Sequence, residues 1–260
     1  MAAADAPVLV LAATAMELAP LRALLRQPQP LPSAWGALER GELGTLPVVL
    51  AVSGIGKVNA AAALTAAVLA AAPRAALQVG VGGAYLGSFL ANGAVAAASE
   101  ELQLDVGLRR ADGRHEGVET LGFALTPARG DRPARYKRIP THPGLAAALH
   151  ELVGLPLLRF ATLDAVTGDV DVGADMQRTF DVSIESMEGA AAAQVADRLG
   201  LPFAEIRGVS NLVGERDKRA WDLRGAIAHS CRALRALLLE WQEHPATREL
   251  RGSAVPAADC

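Results

Sequence analysis

The chain has 260 residues, of which 51% are hydrophobic, so it can bury a sizeable core as one large domain or two small ones. Its 25 lysines and arginines face 28 aspartates and glutamates, for a formal net charge of -3, which excludes a basic field for nucleic acid or an anionic membrane. Its two cysteines cannot build a disulfide framework, and the N-terminus lacks the basic region of a signal peptide, so we expect a cytoplasmic protein.

Hydrophobic periodicity predicts strands that alternate with helices. In chain order we predict strand 8–13, helix 16–25, a hairpin of strands 37–43 and 47–53, a helix ending at 72, strands 75–81 and 93–99, helix 142–153, strand 157–166, helix 175–180, strand 182–187, helix 188–200, strand 202–209 and helix 221–243. This order predicts a three-layer α/β/α sandwich around a mixed, mostly parallel sheet.

Two segments lack a sustained period. Residues 106–140 are rich in Arg, Gly and Pro, and a long irregular excursion of this kind is usually functional or mobile. The sequence after residue 243 shows no pattern either. We therefore predict a single domain over residues 1–243 and a disordered tail over residues 244–260.

Ligands of open α/β sheets bind at the carboxyl ends of the strands. Polar or Gly-rich groups stand at several predicted strand ends, namely Glu17 and residues 53–57, 80–83, 167–169, 187–189 and 207–211. The glycines at 80–83 could begin a dinucleotide fingerprint, but Tyr85 stands where the third glycine belongs, so a Rossmann dehydrogenase is disfavoured. Turn formation and close approach to a ligand are equally good explanations of these glycines.

Two carboxylates suggest glycosidic chemistry. Glu188 stands where an apolar strand becomes an Ala-rich helix, and Glu17 stands on the first turn after the first strand. Each alone could simply stabilise a helix N-terminus. Together they supply one group to activate water and one to hold ribose hydroxyls, which is the minimum for cutting a glycosidic bond with water.

Other chemistries find less support. The five histidines fall in no metal-ligand spacing, and no Ser or Cys nucleophile motif is present, so we predict no metal and no cofactor. We expect Trp35, Trp221 and Trp241 in the core or an interface rather than against a ligand.

An ordered set of motifs nevertheless resembles a known family. Ala15-Met16-Glu17, Ser53-Gly54-Ile55-Gly56-Lys57, residues 80–83, Met187-Glu188-Gly189-Ala190-Ala191 and Arg207-Gly208-Val209-Ser210-Asn211 are similar, in the same order, to motifs of the methylthioadenosine/adenosylhomocysteine nucleosidases and purine nucleoside phosphorylases. The resemblance spans roughly residues 8–239 and implies a nucleoside phosphorylase-like fold. It also implies a small-molecule nucleoside as the partner and a homo-oligomeric assembly.

Within this resemblance, Glu17 matches the glutamate that positions the attacking water, and Met187 and Glu188 match the pair that holds the ribose. The remaining matches, at the purine, are Gly82, Ser210 and Asn211, and the family has an aspartate where this chain has Asn211. An amide both donates and accepts hydrogen bonds, which suits a 6-oxopurine better than a carboxylate does. Hypoxanthine is therefore the expected leaving base.

The same resemblance favours hydrolysis. Bacterial phosphorylases have an arginine where this chain has Gln78, so water is the expected nucleophile rather than phosphate. Residues 210–217, with Trp221 and Tyr85, resemble the futalosine hydrolase branch, which releases hypoxanthine from futalosine in one route to menaquinone. A methylthioadenosine/adenosylhomocysteine nucleosidase, a purine nucleoside phosphorylase and a non-catalytic nucleoside-binding protein are the alternatives.

Two substrate contacts stay open. The family has a Phe that stacks on the purine where this chain has Asp171, so we name its neighbours Val170 and Val172 as candidate substrate contacts. The carboxybenzoyl end of futalosine needs a cation, for which Arg216 or an arginine of residues 107–140 is available.

Overall fold

The computed structural model describes residues 6–111, 115–248 and 250. The strands are β1 Val8–Ala12, β2 Arg26–Leu31, β3 Ala37–Leu43, β4 Leu46–Val52, β5 Ala75–Ala84, β6 Val95–Gln103, β7 Gly107–Arg109, β8 His115–Gly117, β9 Arg138–Pro140, β10 Leu157–Thr162, β11 Ile184–Ser186 and β12 Phe203–Leu212. The helices are α1 Ala15–Arg22, α2 Lys57–Ala71, α3 Pro143–Val153, α4 Val170–Phe180, α5 Gly189–Leu199, α6 Leu223–Leu239 and α7 Pro245–Arg248.

One mixed sheet of ten strands organises the fold, in the order β11-β10-β6-β12-β5-β1-β4-β3-β2 with β9 beside β6. Strands β1, β4, β5 and β12 are linked by parallel pairings, so their carboxyl ends lie at one edge. β11 pairs with β10 and also, antiparallel, with the end of β5. The five strands β11, β10, β6, β12 and β5 therefore form a closed ring next to that edge.

Helices cover both faces of the sheet. Helices α2 and α5 pack on one face through small and branched residues such as Leu64 and Ala192, which are fully buried. Helices α1, α3 and α6 pack on the other face, where Leu21, Leu145 and Leu234 are buried. Burial of these apolar side chains is the main favourable term in folding, and the arrangement confirms the predicted three-layer sandwich. No helix in the described ranges is long and apolar enough to cross a membrane.

Strand β2 and the start of helix α4 differ from the prediction. Strand β2 was not predicted because it contains Pro28 and Pro30, which a sheet tolerates at its edge, where β2 lies. Helix α4 begins at Val170, five residues before the predicted start at 175, because the Asp169 side chain accepts hydrogen bonds from the backbone N–H groups of Asp171 and Val172. That N-cap satisfies donors that would otherwise lack partners.

The predicted disordered tail is wrong at its start. Residues Pro245–Arg248 form α7, and the Thr247 hydroxyl donates to the Trp241 carbonyl at 2.6 Å. Thr247 and Leu250 are buried. The disorder predicted for residue 249 and residues 251–260 concerns positions outside the described residues.

The irregular excursion packs against α5. The side chain of Arg135 lies 3.2 Å from the Asp197 carboxylate, and Gln194 donates to the Leu125 carbonyl at 3.1 Å. Arg132 donates to the Asp197 carbonyl at 2.6 Å. Residues 125–135 of the excursion therefore lie over a helix rather than over the strand ends.

Candidate active site

A cavity of about 320 Å³ lies among the carboxyl ends of β1, β5 and β12, the end of β11 and the start of α6. Six of the predicted site residues line it, namely Glu17, Gly82, Met187, Glu188, Ser210 and Asn211. A larger groove, of about 630 Å³, lies between α2 and α5 and contains none of them. The smaller cavity is thus where the predicted chemistry converges.

Glu17 is held in place by three donors. Thr14 caps α1 and forms a capping box with Glu17, whose Oε2 accepts from the Thr14 backbone N–H at 2.9 Å and from its hydroxyl at 2.8 Å. Oε1 accepts from the Val81 N–H at 3.1 Å, which joins the start of α1 to the end of β5. The side chain is 5% exposed. The carboxylate therefore meets a ligand without having to reorganise.

Glu188 is fixed just as firmly at the junction of β11 and α5. Its Oε1 accepts from the Gly56 N–H at 3.0 Å, and its Oε2 accepts from Arg207 Nη2 at 3.2 Å. Glu17 and Arg207 both approach Gly80. A Cβ at position 80 would lie 2.6 Å from Glu17 Oε1 and 2.7 Å from Arg207 Nη1, so a glycine is needed there. Glu17, Arg207 and Glu188 thus form one connected group.

Arg207 and Glu205 were not predicted to be site residues. Arg207 is fully buried on β12 and also donates to Glu205 Oε1 at 2.6 Å and to the Val81 carbonyl at 2.9 Å. Burial lowers the pKa of Arg207, but the carboxylates of Glu205, Glu188 and Glu17 raise it by more. The pKa is therefore raised overall, and the guanidinium stays charged. A signal was available: Glu205 and Arg207 are charged residues two apart in a strand predicted to be buried.

Glu101 on β6 completes the cluster. Burial and the neighbouring Glu205 carboxylate raise the pKa of Glu101 well above its ordinary value, so Glu101 is protonated and hydrogen-bonds Glu205. Both carboxyls press on the first turn of α5, where a Cβ at Gly189 would lie 2.2 Å from Glu205 Oε2 and 2.6 Å from Glu101 Oε2. We call Glu17, Glu188, Arg207, Glu205 and Glu101 the buried charge cluster.

Asn211 and Ser210 form one end of the cavity. The Ser210 hydroxyl donates to Asn211 Oδ1 at 2.7 Å, and Asn211 Nδ2 donates to the Leu212 carbonyl at 2.8 Å. These bonds orient the amide and use only one of its two N–H donors. The other N–H is available to a hydrogen-bond acceptor in the cavity.

Glu185 supports the wall beside Asn211, another contribution the sequence analysis missed. It accepts from the Thr167 backbone N–H at 2.8 Å, from the Thr167 hydroxyl at 2.6 Å and from the Tyr85 hydroxyl at 2.8 Å. Burial and Glu185 both raise the pKa of Tyr85, so its hydroxyl stays a neutral donor. Tyr85, the aromatic residue after the β5 glycines, therefore helps to order the loop that follows β10.

The cavity is also lined by Trp221, Leu223 and Ile227, together with Arg216. Trp221 is thus neither in the core nor away from the cavity, contrary to the prediction, whereas Trp241 is fully buried. Residues 213–222, which we call the rim loop, connect β12 to α6, and the Asp222 N–H donates back to the Ser210 carbonyl at 2.8 Å.

The structure does not bring Val170 and Val172 to this cavity. They lie in the first turn of α4 and are 44% and 52% exposed. Alignment by spacing from residues 167–169 named them, but the Asp169 cap starts the helix there and leaves both on its outer side. Val166, on the preceding loop, lines the cavity instead.

The arrangement suits a reaction that develops positive charge on a sugar. The buried charge cluster sets the carboxyl groups of four glutamates around the single guanidinium of Arg207, which the carboxylates keep charged. A cationic transition state next to this net negative charge is stabilised more than a neutral ground state. Water near Glu17 would find a fixed proton acceptor.

Comparison with known proteins identifies the family of this chain. The profile described as the phosphorylase superfamily matches residues 7–241. Futalosine hydrolase of Thermus thermophilus is 39% identical over 201 residues, which cover 77% of this chain and 85% of that protein. A 5′-methylthioadenosine/S-adenosylhomocysteine nucleosidase of Halalkalibacterium halodurans is 33% identical over 178 residues, covering 67% of this chain and 72% of that protein.

Solved structures give the same result for the fold. The 5′-methylthioadenosine/S-adenosylhomocysteine nucleosidase of Neisseria meningitidis, in complex with methylthio-immucillin-A, superposes with a TM-score of 0.75 at 27% identity. The match covers 90% of this chain and 98% of that one.

Proposed function

The chain belongs to the phosphorylase superfamily, and we propose that it is a hydrolase that cleaves the N-glycosidic bond of futalosine and releases hypoxanthine. The observation that carries this proposal is Asn211, an oriented amide, in the same cavity as the fixed carboxylates Glu17 and Glu188. The 39% identity to a futalosine hydrolase over most of both chains supports it.

In the proposed mechanism Glu188 accepts hydrogen bonds from the 2′ and 3′ hydroxyls of the ribose, and Met187 packs on the sugar. These bonds strengthen as the ring flattens toward an oxocarbenium ion. Glu17 accepts a proton from the water that attacks C1′. Arg207 helps to hold Glu188 in its position, since it donates to Glu188 Oε2 at 3.2 Å.

Asn211 suits hypoxanthine as the leaving base. Its free N–H can donate to N7 or O6, both of which are acceptors in a 6-oxopurine. A carboxylate at this position would face those acceptors with a lone pair unless it were protonated. The amide therefore favours a 6-oxo over a 6-amino purine, which distinguishes futalosine from methylthioadenosine.

Water rather than phosphate is the proposed nucleophile. Gln78, at the position where the resemblance places the phosphate-binding arginine of the phosphorylases, is fully buried and lies outside the cavity lining. Arg207 already donates to Glu188, Glu205 and the Val81 carbonyl. The carboxylates would also repel an incoming phosphate.

Release of free base from purified protein tests the proposal. Futalosine, inosine and methylthioadenosine are each incubated with and without phosphate. We expect hypoxanthine from futalosine at a rate that phosphate does not change. Adenine from methylthioadenosine at the futalosine rate would replace the substrate assignment, strict phosphate dependence would replace the nucleophile, and inactivity toward all three would favour a nucleoside-binding protein.

The proposal carries three further expectations. The reaction would serve the route to menaquinone that uses futalosine, in the cytoplasm, and the protein would act as a homo-oligomer. Light scattering in solution tests the assembly, and accumulation of futalosine after gene deletion tests the pathway.

A further inference from the structure

The rim loop carries an arrangement that the hydrolysis itself does not use. The Arg216 guanidinium lies over the Trp221 ring, 5.2 Å from its centroid, and both residues line the cavity. The Trp221 indole N–H donates to the Glu215 carbonyl at 3.1 Å, which fixes the ring. A guanidinium on a fixed indole is a preoriented cation.

The Arg216 charge is free to meet a ligand. Arg216 makes no ion pair with any residue that the structure describes, although Asp217 is next to it in sequence. Asp217 is occupied by Arg219, whose Nη2 lies 2.6 Å from Asp217 Oδ2. The loop thus pairs one arginine internally and leaves the other over the cavity.

The shape of the loop holds Arg216 there. Gly214 has a φ of +88°, and a Cβ at this position would lie 2.5 Å from the Val170 nitrogen, so only glycine makes this turn. The far end of the loop is tied to β12 by the Asp222 N–H, which donates to Ser210 at 2.8 Å. The loop is therefore closed at its base, with Arg216 at the mouth of the cavity.

This position corresponds to the 5′ side of a bound nucleoside. If the base meets Asn211 and the ribose meets Glu188, C5′ leaves the sugar on the side away from the base. The part of the cavity lining that we assign to neither base nor ribose includes the apolar side chains of Met16, Leu223 and Ile227 as well as Trp221. An apolar, aromatic group that ends in an anion fits this part of the lining and the guanidinium over Trp221.

The arginines of the excursion do not compete for this role in the same subunit. Arg135 is paired with Asp197 and Arg138 with Glu100, and Arg110 is paired with Glu116. No described residue of the excursion lines the cavity.

We propose that Arg216 and Trp221 form the subsite for an aryl carboxylate at the 5′ end of the substrate, with Trp221 packing on the aromatic ring and Arg216 pairing with the carboxylate. This inference rests on the proposed function, because the carboxybenzoyl end of futalosine is such a group. It makes Arg216 the residue that separates this substrate from nucleosides with a neutral 5′ substituent.

The test compares futalosine with its carboxylate methyl ester, which has the same ring and no charge. Binding of both is measured by calorimetry on the Glu17→Gln background, in which turnover is slowed. We expect futalosine to bind about 10- to 100-fold more tightly than the ester, as a charged hydrogen bond predicts. Arg216→Met should bring the two affinities together, Arg216→Lys should restore part of the difference, and the control Arg219→Met should retain all of it.

The outcomes separate this inference from the proposed function. Equal binding of acid and ester to the protein with Arg216, or a preference that survives Arg216→Met, overturns the subsite. Arg216-dependent binding without release of hypoxanthine by the wild-type enzyme overturns the hydrolase proposal and leaves the subsite standing. Failure of futalosine to bind at all overturns both.

Discussion

The buried charge cluster and the rim loop are built in different ways. The buried charge cluster comes from two strands, β6 and β12, and from the starts of helices α1 and α5, and each of its carboxyl groups accepts from a backbone or side-chain donor. The rim loop is one continuous segment, and Arg216 on it is exposed. The cluster can therefore be altered only at a cost to the whole fold, whereas the loop can change its substrate contacts alone. On the proposed function, the reaction chemistry resides in the cluster and the choice of the 5′ substituent in the loop.

The largest expected effect comes from the centre of the cluster. Glu17→Gln should lower kcat by about 10²- to 10⁴-fold, the usual contribution of a general base, with a much smaller change in KM. The amide still accepts one of the bonds that Glu17 makes, so the capping box with Thr14 is retained in part. Steady-state kinetics with futalosine measure the effect, and Tm reports on folding.

Glu243→Gln serves as the matched control for this substitution, since Glu243 is exposed beyond the end of α6. A kcat of Glu17→Gln within tenfold of the wild type, in a variant that folds normally, would remove Glu17 from the mechanism.

Asn211→Asp tests which residue between the cluster and the rim loop selects the purine base. Replacing the amide by an acid should move the kcat/KM ratio from 6-oxo toward 6-amino nucleosides by about 10- to 100-fold, because the N–H donor now depends on protonation. Inosine and adenosine analogues with the same 5′ group are assayed on both proteins, so the wild type controls for the substrates. An unchanged ratio would show that Asn211 does not select the base.

Gly189→Ala tests whether the cluster is as rigid as its contacts imply. A Cβ would lie 2.2 Å from Glu205 Oε2, so the buried carboxyls must move, at a cost of about 1–3 kcal/mol in the free energy of unfolding. Gly168→Ala is the control, since a Cβ there meets nothing within 4 Å. Urea denaturation of both variants decides, and equal stabilities would mean that the cluster yields easily.

A further effect on stability is expected to depend on pH. A carboxyl whose pKa is raised on folding contributes stability that is complete below its ordinary value, 4.5 for Glu101, and is lost as pH rises toward the folded pKa. Glu101→Gln removes this titration while its amide still donates to Glu205. The variant should therefore gain on the wild type by up to about 1.4 kcal/mol per pH unit above that value.

Unfolding free energies of wild type and Glu101→Gln between pH 5 and 8 measure this gain, with ~0.5 kcal/mol as a detectable difference. Parallel curves for the two proteins would contradict the raised pKa of Glu101.

The sequence was informative where function depends on residues next to a strand end. Glu17 and Glu188 could be predicted because each lies within a few residues of the end of an apolar strand. Glu101 and Glu205 could not, because their proximity depends on the packing of β6 and β12, which residue spacing does not reveal. Val170 and Val172 were placed by spacing alone, and the Asp169 cap overrides it.

The fold shows the same division between local and long-range information. The three layers follow from hydrophobic periodicity, which is a local property. Strand β2 could not be predicted, because its two prolines are compatible with a strand only at the edge that the finished sheet provides. Trp221 illustrates the point for the site, since the rim loop that carries it takes its course from Gly214 and from the bond of Asp222 to Ser210.

The closed ring of strands also affects the order in which the protein folds. β11 reaches the end of β5 through Ile184 and Ala84, roughly a hundred residues apart along the chain, and such a long loop is slow to close. Until that pairing forms, Glu188 cannot meet the Gly56 amide or Arg207, although the helices and most of the sheet could already be in place. Catalytic competence should thus be the last property to return when the unfolded chain refolds.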